Sequence, residues 1–211
     1  MEKELIINGI RYVRHEEPKT YKIYDLVKYN GYKWIVINVK GDELTLMMKK
    51  CLSEEKMKEI FNNDYLDEDS KIKYTLDKTC NDWDKTEIKR GLNNEFLKEF
   101  DKADLVEMKT NYDEDKYSFD YIRIPKMGEI ERLDQDKIVP DKDYWTMSPS
   151  FFDTADDHAY EWCQHNTGYL NPWWGVHGTI GVRPVITLKF DNPNIKILKD
   201  EVETDINVGE V

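Results

Sequence analysis

The feature that most constrains the fold is a pair of strand-like blocks in the last third of the chain. Residues 143–150 read DYWTMSPS and residues 179–188 read TIGVRPVITL. Short apolar runs bounded by Gly, Pro or polar residues are typical of strands. We predict two framing strands joined by an aromatic loop over residues 153–174, which forms either part of a core or a recognition surface. The rings between the blocks are Tyr160, Trp162, Tyr169, Trp173 and Trp174.

Residues 1–50 have the pattern of a β meander. Asn8-Gly9 and Asn30-Gly31 are each flanked by apolar runs, and Asn-Gly between such runs is the strongest short signal for a hairpin. Alternation in residues 33–39, KWIVINV, is imperfect. A strand with this pattern is expected to be covered on both faces of its sheet.

Residues 82–100 are predicted to form one long amphipathic helix. Ile88, Leu92, Phe96 and Phe100 recur every four residues, which gives a single apolar stripe. Gly91 lies inside that stripe and costs about 1 kcal/mol relative to Ala. We expect another backbone to approach closely at this glycine. The charged stretch 64–78 has no period and is predicted to be a mobile loop.

The formal net charge of −12 disfavours binding to nucleic acid, because the mean field repels phosphates unless a basic patch is concentrated locally. The three cysteines, Cys51, Cys80 and Cys163, form no CxxC motif, so reduced thiols are expected. Neither a signal peptide nor an apolar span of roughly 20 residues is recognisable. These features predict synthesis in the cytoplasm without a signal peptide and no membrane partner.

His158, His165 and His177 lie within twenty residues of one another. With Cys163 they include ligand types that zinc accepts. Their spacing matches no known metal motif, so we assign no metal ligand, no cofactor and no catalytic residue. The thiol pKa of Cys163 is expected to be raised in this acidic segment.

Four aromatic side chains are the candidate binding residues, and two further residues are assigned structural roles. Trp145 lies within a strand block and is expected in the core. Arg183 lies in an apolar strand, where a guanidinium needs carboxylate or carbonyl partners, so we interpret it as a structural tie. The candidate binding residues are Trp162, Tyr169, Trp173 and Trp174.

Three segments resemble one family. WTMSPS at 145–150 resembles its W-x-R-S-P-G block, and GVRPVITL at 181–188 resembles its G-V-R-P-A-x-x-L ending. WDKTEIKRGLNNEF at 83–96 is similar to its W-x-x-S-x-L-R-x-W-L-N-x-x-F helix. The family is domain of unknown function 6273, found in Gram-positive bacteria and their phages. The chain departs from the family pattern at Lys89, Gly91 and Met147, where the family has Arg, Trp and Arg. Any family role that depends on those arginine or tryptophan side chains is therefore not expected here.

The ending GVR at 181–183 is also similar, over a shorter stretch, to the G-F-R ending of C-type-lectin-like folds. Together the resemblances and the patterns predict an α+β fold. This fold has a mainly antiparallel sheet, one long amphipathic helix and a C-type-lectin-like C-terminal half. We divide the chain into an N-terminal meander (1–50), an α+β region (51–190) that forms one compact domain with the meander, and an acidic C-terminal tail (191–211).

No credible catalytic set and no secretion signal are recognisable, and the resemblance implies an association with phages. Together these predict a non-catalytic binding or structural module, encoded by a phage or prophage and carried on a virion as a tail, baseplate or capsid-decoration protein. Its expected partners are other virion proteins, or a glycan or protein on the host surface, and self-association is left open. One alternative is a metal-dependent hydrolase that uses His158, His165 and His177. Another is a subunit of a cellular surface complex.

Overall fold

The computed structural model describes residues 3–7, 10–14 and 19–198. It shows a mixed α/β fold with mostly antiparallel sheets, as the sequence predicts. The strands are β1 Lys3–Ile7, β2 Ile10–Arg14, β3 Leu26–Tyr29, β4 Tyr32–Lys40, β5 Glu43–Met48, β6 Ile72–Lys73, β7 Met108–Asp113, β8 Lys116–Asp120, β9 Ile122–Arg123, β10 Tyr144–Asp153, β11 His158–Gln164, β12 Leu170–Gly175, β13 Thr179–Ile180, β14 Val185–Lys189 and β15 Lys196–Ile197. The α-helices are α1 Glu54–Ile60, α2 Glu87–Arg90, α3 Met127–Ile130 and α4 Gln135–Ile138.

Six strands form the main sheet in the order β15-β3-β4-β5-β14-β9, with every neighbouring pair antiparallel. The predicted hairpin at Asn30-Gly31 is confirmed. Tyr29 pairs with Tyr32, and both turn residues have positive φ, 49° and 81°, which a two-residue type I′ turn requires. β1 and β2 pair antiparallel, while the Asn8-Gly9 signal between them lies outside the described residues.

Strand β4 separates two hydrophobic clusters, as its imperfect alternation predicts. Trp34 and Val36 point into the larger cluster, and Ile35 and Ile37 into the smaller one. Each of these four side chains is at most 6% exposed. The central strand is therefore buried on both faces, and the sheet is the middle layer of the fold.

The prediction of one long helix over residues 82–100 is wrong. The segment is helical only in short pieces, namely a 3₁₀ turn Trp83–Lys85, α2, a π turn Gly91–Glu95 and a 3₁₀ turn Phe96–Glu99. A strict four-residue spacing drifts around a 3.6-residue helix, and the wider π turn counteracts this drift. The apolar stripe of Ile88, Leu92, Phe96 and Phe100 is accordingly buried.

Gly91 begins the π turn and meets helix α1, as expected for a site of close backbone approach. A Cβ added there would lie 2.8 Å from the carbonyl oxygen of Ile60 and 2.3 Å from the ring of Phe61. The absence of a side chain is therefore what allows α1 to pack against this segment.

The stretch 64–78 is built into the core, so its prediction as a mobile loop is wrong. β6 pairs with β13, and the side chains of Ile72 and Tyr74 are fully buried. Thr179 donates a hydrogen bond of 2.5 Å to the carboxylate of Asp67. The charges at 64–71 concealed the short apolar stretch that anchors the segment.

The aromatic segment 153–174 is mostly strand, which corrects its prediction as a long loop. β10, β11 and β12 form a three-stranded antiparallel sheet. The first framing strand, β10, runs three residues beyond Ser150. The second block, 179–188, is divided into β13 and β14 by residues 181–184, where Arg183 and Pro184 interrupt the pairing.

We expect Gly91→Ala to destabilise the protein by about 1–3 kcal/mol, because the added methyl group overpacks the junction with α1. Chemical denaturation followed by circular dichroism measures this effect. Gly128→Ala is the matched control, since Gly128 lies in helix α3 with no atom within 4 Å of the added Cβ. Equal unfolding midpoints for the two variants would contradict the packing argument.

Candidate functional site

Strand β11 presents two different faces. Ala159, Glu161 and Cys163 are fully buried, while Tyr160 and Trp162 alternate with them and are half-buried. Successive side chains of a strand point to opposite sides. One side of the three-stranded sheet therefore covers the core, and the other carries rings toward solvent.

Three rings on the outer side contact one another, and we call Phe151, Tyr160 and Trp173 the aromatic face. Phe151 stacks on Tyr160 with ring centroids 4.5 Å apart and planes at 6°. Trp173 meets Phe151 edge-on at 4.6 Å and Tyr160 at 6.2 Å. The indole of Trp173 is 67% exposed. The three rings come from three adjacent strands, so the sheet holds them in a fixed arrangement.

The structure separates the four predicted binding residues. Trp173 belongs to the aromatic face, and Trp162 lies half-buried on the same side of β11. Tyr169 is exposed but stacks on His165, with ring centroids 4.4 Å apart. Trp174 packs against the larger core cluster, and its buried Nε1 has no hydrogen-bond partner among the described residues. Adjacent positions on β12 thus send Trp173 and Trp174 to opposite sides of the sheet.

Phe151 is a member of the aromatic face that is not among the predicted binding residues, because it lies one residue beyond the predicted strand block 143–150. The signal was present in the sequence, since Phe151 directly follows a strand pattern with no turn residue between. Tyr160 was among the rings between the two blocks but was not a candidate binding residue. A period-two reading of HAYEWCQ would have placed Tyr160 and Trp162 on one side.

A cleft of about 290 Å³ opens beside Trp174 and is lined in part by Asp143 and Asn166. The carboxylate of Asp143 already accepts a hydrogen bond of 2.7 Å from the backbone N–H of Asn166. The same carboxylate lies 3.4 Å from Nδ1 of His165. These polar groups satisfy one another, so the cleft is a weaker candidate than the aromatic face.

The three histidines do not converge on one point. The rings of His158 and His177 lie 4.9 Å apart, whereas His165 is held by Tyr169, Asp143 and Asn171. Within residues 19–198, no group of three or more His, Cys, Asp or Glu side chains is placed to hold a metal ion. The donor geometry therefore gives the metal-dependent alternative no support.

The predicted rise in the pKa of the Cys163 thiol is confirmed. Burial, and then the nearby Asp143 and Glu161, raises this pKa to about 12. A thiol of this kind is protonated at neutral pH and is a poor nucleophile.

Glu161 is the most unusual residue beneath the aromatic face. Its side chain is fully buried, and neither carboxylate oxygen has a hydrogen-bond partner among the described residues. The nearby Tyr74 hydroxyl is also buried, again with no partner in the part of the chain that the structure describes. Burial, and then the charge of Asp113, raises the pKa of Glu161 well above its usual range. The sequence signal was its alternation with Ala159 and Cys163 on the apolar side of β11.

The two predicted structural residues lie deep in the fold. Trp145 is fully buried, and its indole Nε1 donates to the carbonyl of Ile72 at 2.8 Å. Arg183 is also fully buried, and its guanidinium donates to backbone carbonyls, including that of Ile138 at 2.7 Å. Neither residue is accessible to a ligand.

No described helix is both long enough and apolar enough to cross a bilayer. Comparison of the chain with models of protein families, with curated proteins and with solved structures gave no match. The resemblance to domain of unknown function 6273 therefore stays a prediction based on its three motifs.

We expect Glu161→Gln to become increasingly stabilising as the pH rises. The carboxyl group has a higher pKa folded than unfolded, so the native state binds more protons above the usual glutamate pKa, near 4.5. The stability of the natural protein therefore falls with rising pH, by about 1.4 kcal/mol per pH unit at most, until the folded pKa is passed. The neutral glutamine does not have this dependence. Urea unfolding between pH 5 and pH 9 measures the difference.

The control is Glu68→Gln, which makes the same substitution at an exposed position. It should change the unfolding free energy by less than about 0.5 kcal/mol, as surface substitutions usually do. Parallel pH profiles for the natural protein and Glu161→Gln would show that Glu161 is not held neutral in the core.

Proposed function

We propose that this chain is a non-catalytic binding module that engages a surface glycan through its aromatic face. The observation that carries the proposal is the contact of Phe151, Tyr160 and Trp173 with one another on the outer side of the three-stranded sheet, where the Trp173 indole is two-thirds exposed. Large apolar side chains grouped at a surface indicate an interaction site. The rings are ordered before binding, which reduces the entropy lost when a ligand is held.

The surroundings of the aromatic face favour a neutral glycan. A sugar presents an apolar C–H face that stacks on a ring, and hydroxyl groups that need hydrogen-bond acceptors. Asp153 lies two residues beyond Phe151 on β10 and offers a carboxylate acceptor. The side-chain oxygen of Asn171 accepts from the backbone amide of Trp173 at 2.9 Å, which helps to fix the position of the indole. The net charge of −12 disfavours an anionic ligand at long range.

We expect neutral oligosaccharides on a glycan array to retain the labelled protein better than acidic ones. Trp173→Ala and Tyr160→Ala should each weaken binding about tenfold, since a lost aromatic contact is worth about 1–1.5 kcal/mol. Titration followed by tryptophan fluorescence gives the affinity of the natural protein, and calorimetry gives that of Trp173→Ala.

Phe119→Ala is the matched control, because Phe119 is 57% exposed on β8, which belongs to a different sheet from the aromatic face. It should leave glycan binding unchanged. The glycan proposal fails if no oligosaccharide is retained, or if Phe119→Ala loses as much affinity as Trp173→Ala. Capture of a protein that depends on Trp173 would instead assign a protein partner to the same face.

The placement on a phage particle, as a tail, baseplate or capsid-decoration protein, is proposed from the sequence resemblance alone. A C-type-lectin-like C-terminal half is likewise proposed from sequence resemblance alone. A binding module on a virion would present the aromatic face to the host surface. Mass spectrometry of purified phage particles from the source strain should detect peptides of this chain at a fixed ratio to the major capsid protein. Its absence from every particle would remove the virion proposal and leave glycan binding to be judged separately.

A further inference from the structure

The main sheet carries a polar patch on the same face as the smaller hydrophobic cluster. Thr45 on β5 lies opposite Asn38 on β4 and Thr187 on β14, and residues directly opposite in antiparallel strands point to the same side. The hydroxyl oxygens of Thr45 and Thr187 are 3.4 Å apart. Arg123 on β9 shares this face, because it pairs with Val185, a member of the smaller cluster two residues before Thr187. Four neighbouring strands therefore place hydroxyl, amide and guanidinium groups on one face.

A cleft of about 400 Å³ lies over this patch, and we call it the polar cleft. Segment 106–111 lines one part of the cleft, and Lys126 and Glu129, before and within helix α3, line another. Val106 and Met108 are the only apolar residues among the described residues that line it. The volume is in the range of small-molecule sites, and a lining of this composition favours a ligand rich in polar groups.

The guanidinium of Arg123, which lines the polar cleft, has a donor that the described chain does not satisfy. Its side chain is 5% exposed and forms a bidentate pair with Glu129, with N–O distances of 2.7 and 2.6 Å. Its Nη1 also donates to the carbonyl of Ile124 at 3.0 Å. The N–H at Nε is buried without an acceptor among the described residues. A buried donor without an acceptor costs free energy, so a ligand that brings an acceptor to this wall gains affinity.

Most of the carboxylates that line the polar cleft already have a partner. Both oxygens of Glu129 accept from Arg123. Glu43 lies 3.4 Å from the ammonium group of Lys189. Glu107 is exposed and forms no ion pair within the described residues. One carboxylate without an ion pair therefore remains in the described lining.

Three lysines line the same cleft without an ion pair in the described part of the chain, namely Lys40, Lys109 and Lys126. The ammonium group of Lys109 lies 4.5 Å from the ring centre of Tyr117. Lys126 is partly buried, and this desolvation lowers the pKa of its ammonium group. Counting Glu107 against the three lysines leaves a surplus of two positive charges. This local surplus governs contacts inside the cleft, because salt screens exposed charges more than about 10 Å away.

We propose that the polar cleft binds a small phosphorylated polyol. A phosphate monoester carries a charge of about −2 near neutral pH, which matches the surplus, and its oxygens accept several hydrogen bonds. Lysine ammonium and threonine hydroxyl groups donate to such oxygens. The hydroxyl groups of a polyol suit the amide and hydroxyl side chains of Asn38, Thr45 and Thr110 in the lining. A carboxylate carries only one charge, so it compensates the lysines less completely. The cleft belongs to a different sheet from the aromatic face and does not depend on glycan binding there.

Titration calorimetry of the full-length protein with glycerol 3-phosphate at low salt tests the proposal. We expect saturable binding at or below millimolar concentration, no binding of glycerol, and affinities at least tenfold weaker for inorganic phosphate and for gluconate. Lys126→Gln should lower the affinity for glycerol 3-phosphate at least tenfold, and Thr187→Val, which removes one hydroxyl group, at least threefold. Because the charge of Lys126 is partly buried without an ion pair, Lys126→Gln should not lower the unfolding midpoint. A loss of binding would then not reflect misfolding.

Lys98→Gln is the matched control, since it makes the same substitution at a side chain that is 71% exposed and does not line the polar cleft. Its affinity for glycerol 3-phosphate should stay within twofold of that of the natural protein. The proposal is overturned if glycerol 3-phosphate does not bind at millimolar concentration, or if Lys98→Gln loses as much affinity as Lys126→Gln. Binding of inorganic phosphate as tight as that of glycerol 3-phosphate would overturn it in favour of a site for the ion alone. Tighter binding of gluconate would overturn it in favour of a carboxylate ligand.

Discussion

The buried guanidinium of Arg183 is the interaction on which the rest of the fold depends. Its nitrogens donate to the carbonyls of Met48 at 2.8 Å, Lys49 at 3.1 Å and Ile138 at 2.7 Å. The guanidinium also lies 5.3 Å from the ring centre of Tyr144. Burying an unpaired charge costs several kcal/mol, so the position is tolerable only because these acceptors converge on it. One side chain thereby joins the end of β5, the end of α4 and the start of β10.

The backbone around Arg183 extends the same junction to the three-stranded sheet. The amide of Gly181 donates to the carbonyl of Asp143 at 2.8 Å, and the amide of Trp145 donates back to Gly181 at 3.2 Å. A Cβ at Gly181 would lie 2.9 Å from the Asp143 oxygen, so a larger residue would separate these segments. β10 is fixed against the core here, and the position of the aromatic face follows from that attachment.

Local patterns in the sequence predicted most of the strands but not the geometry that depends on distant contacts. The hairpin at Asn30-Gly31 follows from two residues that accept positive φ, which is a local property. The π turn at Gly91 depends on where α1 packs, and the burial of Tyr74 depends on β13, more than a hundred residues away. The opposite orientations of Trp173 and Trp174 could be predicted only once segment 170–175 was recognised as a strand.

Strand β11 carries two features that each oppose stability. On its outer side, Tyr160 contacts the ring of Trp173, a large apolar side chain left exposed to solvent. On its inner side, Glu161 is buried with no hydrogen-bond partner for its carboxylate among the described residues. Departures from the rules of stable packing are expected where a protein serves a function. Both departures lie on one strand, so a change at Glu161 alters the support beneath the aromatic face.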